Sequence, residues 1–166
     1  MRKLFVSLVA AALWCFAPSV QAQDYGRAIG APKEMGSRLQ ASVADLREYL
    51  QRIAGKGFTV GPQQPGDGIV LALAPQAPDD LAKRLQGLAR EPFVISSDGK
   101  QRLWIVANGE MGLCHGIYYY LDQLGVRWLM PSEQWTIVPK KDDVTLKIDR
   151  LVRPAFGSRM FFGTGG

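Results

Sequence analysis

LWIVANGEMGLCHGIYYYLDQLGVRWLMP, residues 103–131, is the stretch on which the fold turns. The apolar start, 103–107, reads as a buried strand, and Asn108 is placed to cap the helix that follows. Leu113, Ile117, Leu121 and Leu124 recur at three- and four-residue intervals, so they form one buried stripe. Gly125 sits where helices stop, and 126–130 read as a second strand closing on Pro131. Gly112 and Gly116 are four apart and share a helix face. Glycine inside a helix costs about 1 kcal/mol against alanine. Two on one face therefore imply a close approach to the backbone. The partner is a bulky sheet side chain such as Trp104 or Trp128, or another domain packing there.

Working outward, residues 35–54 place Met35, Leu39, Val43, Leu46, Leu50 and Ile53 on one side of a helix. Gly55 ends it. A one-sided stripe of this kind lies on a sheet. Strands are read at 58–60, 69–73, 93–96, 102–107, 126–130, 135–138 and 144–148. The 69–73 run is continuous enough to be buried on both faces. Pro78 opens a short helix through 88, with Leu81, Leu85 and Leu88 on one side. Asp98-Gly99 between apolar runs marks a hairpin. Helices alternating with hairpin-like strands predict an α+β fold. It is a two-layer sandwich of a mixed sheet with two long helices and one short one, both long helices on one face.

Arg2 and Lys3 precede an apolar run broken at Pro18, and Val20-Gln21-Ala22 supplies small residues at a cleavage position. This is the pattern of a secretory leader. The run is shorter than the roughly 20 residues a membrane span needs. Cleavage after Ala22 would leave 144 of the 166 residues and lower the formal excess of positive charge from +5 to +3. So mild and scattered an excess gives no reason to expect nucleic acid. Cys114 would be the one cysteine left, so no intrachain disulfide is expected. The expected organisation is a leader at 1–22, a tether at 23–32, a domain at 33–150 and a linker from 151 to 166. The expected compartment is the periplasm or the exterior, with no membrane contact after cleavage.

Gly112, Gly116, Ile117, Tyr118, Leu121, Leu124, Gly125, Val126, Arg127 and Trp128 fall in the places of a Gly-Thr-Leu-Tyr-Gly-Val-Tyr…Leu-Gly-Val-Arg-Trp run. Pro131 and Val138-Pro139 continue it, and residues 44–50 with Ala54-Gly55 match its first helix. This pattern resembles the small α/β domain that precedes the catalytic barrel in family 67 α-glucuronidases and family 20 β-hexosaminidases. Met111 departs from it where an arginine is common, His115 replaces a tyrosine, and Tyr119 replaces a frequent acid. The resemblance implies a zincin-like fold without metal, and structural or docking roles for Gly112, Gly116, Arg127 and Trp128. Pro154, Phe156 and Arg159 resemble the entry to the first barrel strand, where the matching arginine reaches sugar hydroxyls. A guanidinium suits that task because its donors are fixed and its charge permanent.

The remaining residues offer little chemistry. His115 is the only histidine, so a His-based metal site or a Ser-His-Asp triad has no residues to build it elsewhere in the chain. Cys114 and His115 are adjacent on a helix and point about 100° apart. His-Glu-x-x-His and Gly-x-Gly-x-x-Gly are both absent, so neither a metal nor another cofactor is expected. Trp104, Trp128 and Trp135 could stack on a sugar, although each sits in an apolar strand context that favours core packing. Asp79 and Asp80 suit the positive end of a helix. No acid pair stands in a context fit for glycoside hydrolysis, which needs two carboxylates about 5–10 Å apart. Two functions are left. One is a non-catalytic accessory domain of a secreted glycoside hydrolase, inactive alone, whose partner is a catalytic barrel beyond this chain. The other is a stand-alone secreted module that binds carbohydrate or protein.

Overall fold

The computed structural model describes residues 26–62, 68–99 and 102–155. The leader assigned to 1–22 lies outside them. Elements run in the order β1 (Ala28–Ala31), α1 (Ser37–Ala54), β2 (Thr59–Pro62), β3 (Gly68–Leu73), α2 (Asp79–Arg84), β4 (Phe93–Ser97), β5 (Arg102–Ala107) and α3 (Glu110–Leu124). After these come β6 (Arg127–Trp128), β7 (Thr136–Ile137) and β8 (Asp149–Val152). The main sheet has the order β2-β1-β3-β5-β4-β8, and β6 pairs with β7 in a small separate hairpin. β1 is parallel to β2 and β3, and β3 is parallel to β5. β4 is antiparallel to both β5 and β8. The fold is α+β, a mixed sheet with helices α1 and α3 packed on one face.

Strand alternation accounts for the two cores. Ile69 and Leu71, Phe93 and Ile95, Leu103 and Ile105 point toward α1 and α3. Leu39, Val43, Leu46, Leu50 and Ile53 of α1 meet them, as do Leu113, Ile117, Tyr120, Leu121 and Leu124 of α3. On the reverse face Ala72, Val94 and Val106 pack under Leu81 of α2 and Leu85 just after it. The 69–73 run is thus buried from both sides. Both long helices end as their glycines require, with Gly55 at φ 65° and Gly125 at φ 102°.

Several sequence expectations need correction. Residues 23–32 are not all tether, because Ala28–Ala31 forms a central strand with Ile29 and Ala31 buried. The first helix begins at Ser37, leaving Met35 in the preceding loop. The short helix stops at Arg84, not Leu88. Asn108 does not cap α3. Gly109 is the N-cap residue, and the Asn108 amide donates to the carbonyls of Leu85 and Leu88 at 2.8 and 2.9 Å. Residues 144–148 form no strand. Val144 is buried in the core instead, and the last strand is Asp149–Val152, so the sheet runs past the boundary expected at 150. The β4–β5 hairpin is present, with Gly99 at φ 70°. Asp98 keeps a negative φ and holds the turn by accepting from the Arg102 backbone N–H at 3.1 Å.

Candidate binding cleft and exposed hairpin

Two features stand at opposite ends of α3. At its start is a cleft of about 550 Å³ lined by the loop after β1, by Leu73 at the end of β3, by Gln76 beyond it, and by Glu110. The Glu110 Oε1 accepts the Gly36 N–H at 3.0 Å, so one helix's first residue caps the other helix. That contact explains the short side-chain space at Gly36, where a Cβ would lie 2.7 Å from Glu110 Oε2. A second, more apolar hollow of about 360 Å³ shares Pro32, Lys33 and Met35 with the cleft and continues to Val60 and Pro62. The structure therefore brings Glu34 and Glu110 to one cleft, a pairing the sequence did not disclose. Their separation of 76 positions hides it, and no motif links them.

At the end of α3 is the β6–β7 hairpin. Arg127 pairs with Ile137 and Trp128 with Thr136, so the pleat puts Arg127 and Ile137 on the side opposite Trp128. The Trp128 indole N–H donates to the Tyr49 hydroxyl at 2.9 Å. Its ring meets Tyr49 and Tyr118 edge to face, at centroid distances of 5.5 and 5.8 Å. Arg127 Nη1 donates to the Asp122 carbonyl at 2.7 Å, to the Asp122 carboxylate at 2.8 Å and to the Val126 carbonyl at 2.7 Å, and so clamps the C-terminus of α3. The hairpin is anchored to the domain through Arg127 and Trp128. Its other large apolar groups, Leu129, Met130, Trp135 and Ile137, are 59, 55, 52 and 53% exposed.

Beside this hairpin, the Tyr118 hydroxyl donates to Asp45 Oδ2 at 2.6 Å. Burial, with this bond to Asp45 second, pushes the Tyr118 pKa up to about 12. Arg52 lies 5.3 Å from the Tyr49 ring centroid and pairs with Glu48.

The glycines face inward. A Cβ on Gly112 would come within 2.7 Å of Ala107 Cβ, 2.8 Å of the Arg90 carbonyl oxygen and 2.9 Å of the Pro92 carbonyl oxygen. On Gly116 it would meet Ile105 Cγ2 first and the Phe93 ring next. The close partner is thus the sheet, but neither Trp104 nor Trp128. Trp104 lies half-buried on the α2 face. Trp128 and Trp135 are not core residues. His115 is half-buried and Cys114 is buried. Among the described residues no group of three or more His, Cys, Asp or Glu side chains is placed to hold a metal ion, and no helix is long and apolar enough to cross a membrane. Arg159 and the barrel-entry motif around it lie outside the described residues.

No protein-family model matches the chain, and no curated protein does. Among solved structures it is similar to a family GH115 4-O-methyl-α-glucuronidase, BtGH115A, with specificity for decorated arabinogalactans. The TM-score is 0.63 at 17% identity, over 77% of this chain and 17% of that one. The fold is shared with part of a glycoside hydrolase. The chain is also similar to a GH138 enzyme targeting pectin rhamnogalacturonan II, with TM-score 0.39, 22% identity, 58% of this chain and 10% of that one. It thus spans under a fifth of either enzyme. The likeness to BtGH115A supports a glycoside-hydrolase-like fold, at a coarser level than the family 67 and family 20 resemblance read from the sequence.

Proposed function

We propose that this chain is a non-catalytic domain of an exported carbohydrate-degrading enzyme, docked through the β6–β7 hairpin onto a catalytic barrel of the same polypeptide. The observation that carries the reading is the exposure of Leu129, Met130, Trp135 and Ile137 together on a hairpin whose opposite side is fastened down by Trp128. A two-stranded hairpin is marginal alone in water. Clustered exposed apolar side chains mark an interaction site. The share of BtGH115A that the fold occupies supports a larger partner in the same chain. Glu34 and Glu110 line an open cleft in which one Glu110 oxygen already serves the Gly36 N–H. That commitment favours a structural carboxylate over one half of a hydrolytic pair.

The test is hydrogen exchange over residues 127–137, compared between this chain and the full product of its coding sequence. Exchange slowed in the longer protein, and restored by Trp135→Ser with Ile137→Ser, is the expected result. Equal exchange in both, or a reading frame that stops at Gly166, overturns the proposal. Export is checked separately: the mature protein should begin at Gln23, and a soluble cytoplasmic product starting at Met1 would refute it. On aryl N-acetylglucosaminide, aryl glucuronide and glucuronoxylan fragments, the isolated chain should match buffer.

A further inference from the structure

We infer that the crevice at the carboxyl ends of β1 and β3 is a binding site for a neutral saccharide of one or two rings. The sheet's connectivity creates it. β1 leads through α1 to β2 on one side, and β3 leads past α2 toward β4 and β5 on the other. α1 packs on one face of the sheet and α2 on the reverse. Neighbouring parallel strands whose connections leave in opposite directions open a gap at their carboxyl ends, and this is where open α/β sheets take ligands. The gap here is the 550 Å³ cleft, continued by the 360 Å³ hollow. Both volumes lie within the roughly 300–1,000 Å³ typical of small-ligand sites.

The chemistry of the walls selects the ligand. One side offers Glu34, Glu110 and Gln76, which accept hydrogen bonds, with Lys33 as a donor. The other offers Met35, Val60 and Pro62. A sugar ring has the same division, hydroxyls around its edge and a C–H face. An anion suits the site poorly. The start of α1 would otherwise attract one. Its Gly36 N–H is already taken by the Glu110 carboxylate, and two carboxylates face a single Lys33. A wholly apolar ligand would strip water from both carboxylates without replacing it.

The cleft is also positioned to work beside a docked barrel. It opens at Glu110 and the hairpin follows Leu124, so the 15 residues of α3 hold them about 22 Å apart. The choice of a saccharide over other polyols rests on the carbohydrate-degrading reading, but occupancy of the cleft does not depend on the hairpin.

The experiment titrates the ¹⁵N-labelled chain with xylobiose, cellobiose and lactose to high millimolar concentration, and in parallel with inorganic phosphate. At least one sugar should shift the Glu34, Gly36 and Gln76 amides saturably. The double variant Lys33→Ala, Glu34→Ala should weaken that binding about tenfold or more at an unchanged melting temperature, since both side chains lie outside the core. Val60→Glu, on the apolar side, should weaken it as well. No saturable shift at the cleft with any of the three sugars overturns the inference. So do shifts confined to the surroundings of Trp128 and Trp135, or tighter binding of phosphate than of every sugar. A failure here leaves the hairpin exchange result intact, and a failure there leaves this one intact.

Discussion

The Tyr120 hydroxyl donates to the Val144 carbonyl oxygen at 2.6 Å inside the core, joining the middle of α3 to the segment that carries the chain from the hairpin back to β8. Tyr120 is fully buried and Val144 is 2% exposed, so neither group has water to fall back on. Removing one partner of a buried bond leaves the other unsatisfied, at about 1–3 kcal/mol. Tyr120→Phe should therefore lower stability by about that amount, read as a lower denaturant midpoint at unchanged slope. A midpoint equal to the parent's would show that the carbonyl finds another donor.

Gly116 and Gly112 give a graded pair. Gly116→Leu must displace Ile105 and Phe93 in a packed core, and overpacking costs about 1–3 kcal/mol. Helix propensity alone predicts the opposite sign, since leucine is the better helix former. The melting temperature should fall. Gly112→Ala should cost no less, although its side chain is smaller. Two of the atoms in its way are backbone carbonyl oxygens, which cannot turn aside like a side chain. A thermal melt of either variant at or above the parent contradicts the packing described.

Tyr118 should ionise well above the ordinary tyrosine range. Its pKa is pushed up to about 12 from 10.0, by burial and then by Asp45. A group whose folded pKa is raised contributes stability that is complete below its unfolded value. That stability is lost as pH rises between about 10 and 12. Absorbance titration of phenolate should show a step near 12 that disappears in Tyr118→Phe and moves down in Asp45→Asn. A step near 12 left unchanged by Tyr118→Phe would assign it elsewhere.

Arg84 of α2 and Asp149 of β8 form an ion pair that fastens the reverse-face helix to the sheet edge. Hydrogen bonding from Arg84 holds the Asp149 carboxyl below its usual range. The sign is opposite to that of Tyr118. Its contribution is present above the unfolded carboxylate pKa and fades as pH falls through the folded one. Both side chains are partly exposed, so the effect should be small. The protection of the β8 amides against exchange, corrected for the intrinsic rate at each pH, should fall on acidification in the parent and depend less on pH in Asp149→Asn.

What could be read in advance follows from how local each signal is. α1 and α3 were legible because each carries a one-sided stripe ended by glycine, and both features survive any tertiary arrangement. The close approach at Gly112 and Gly116 was legible for the same reason, although its partners were not. Which sheet residue lies under a helix depends on register, and register placed Ile105 and Phe93 there. β1 was missed because Ala-Ile-Gly-Ala is short and small, and only its parallel pairing with β2 and β3 makes it a strand. Residues 144–148 alternate like a strand, but Val144 is drawn into the core beneath Tyr120 and the ladder starts later. The cleft was invisible because it is a product of strand order. Nothing in the residues after β1 indicates that those after β3 will leave on the other face.

The burial of Cys114 at 6% exposure has a practical consequence. It is the one cysteine among the described residues, on the inner face of α3 and against the largest core cluster. A thiol reagent can reach it only when that helix lifts or the whole domain opens. The rate of alkylation is then a clock for opening, with no label added to the molecule. Run on the parent, on Tyr120→Phe and on Gly116→Leu, the same reaction would separate a variant that loosens the α3 face from one that lowers global stability.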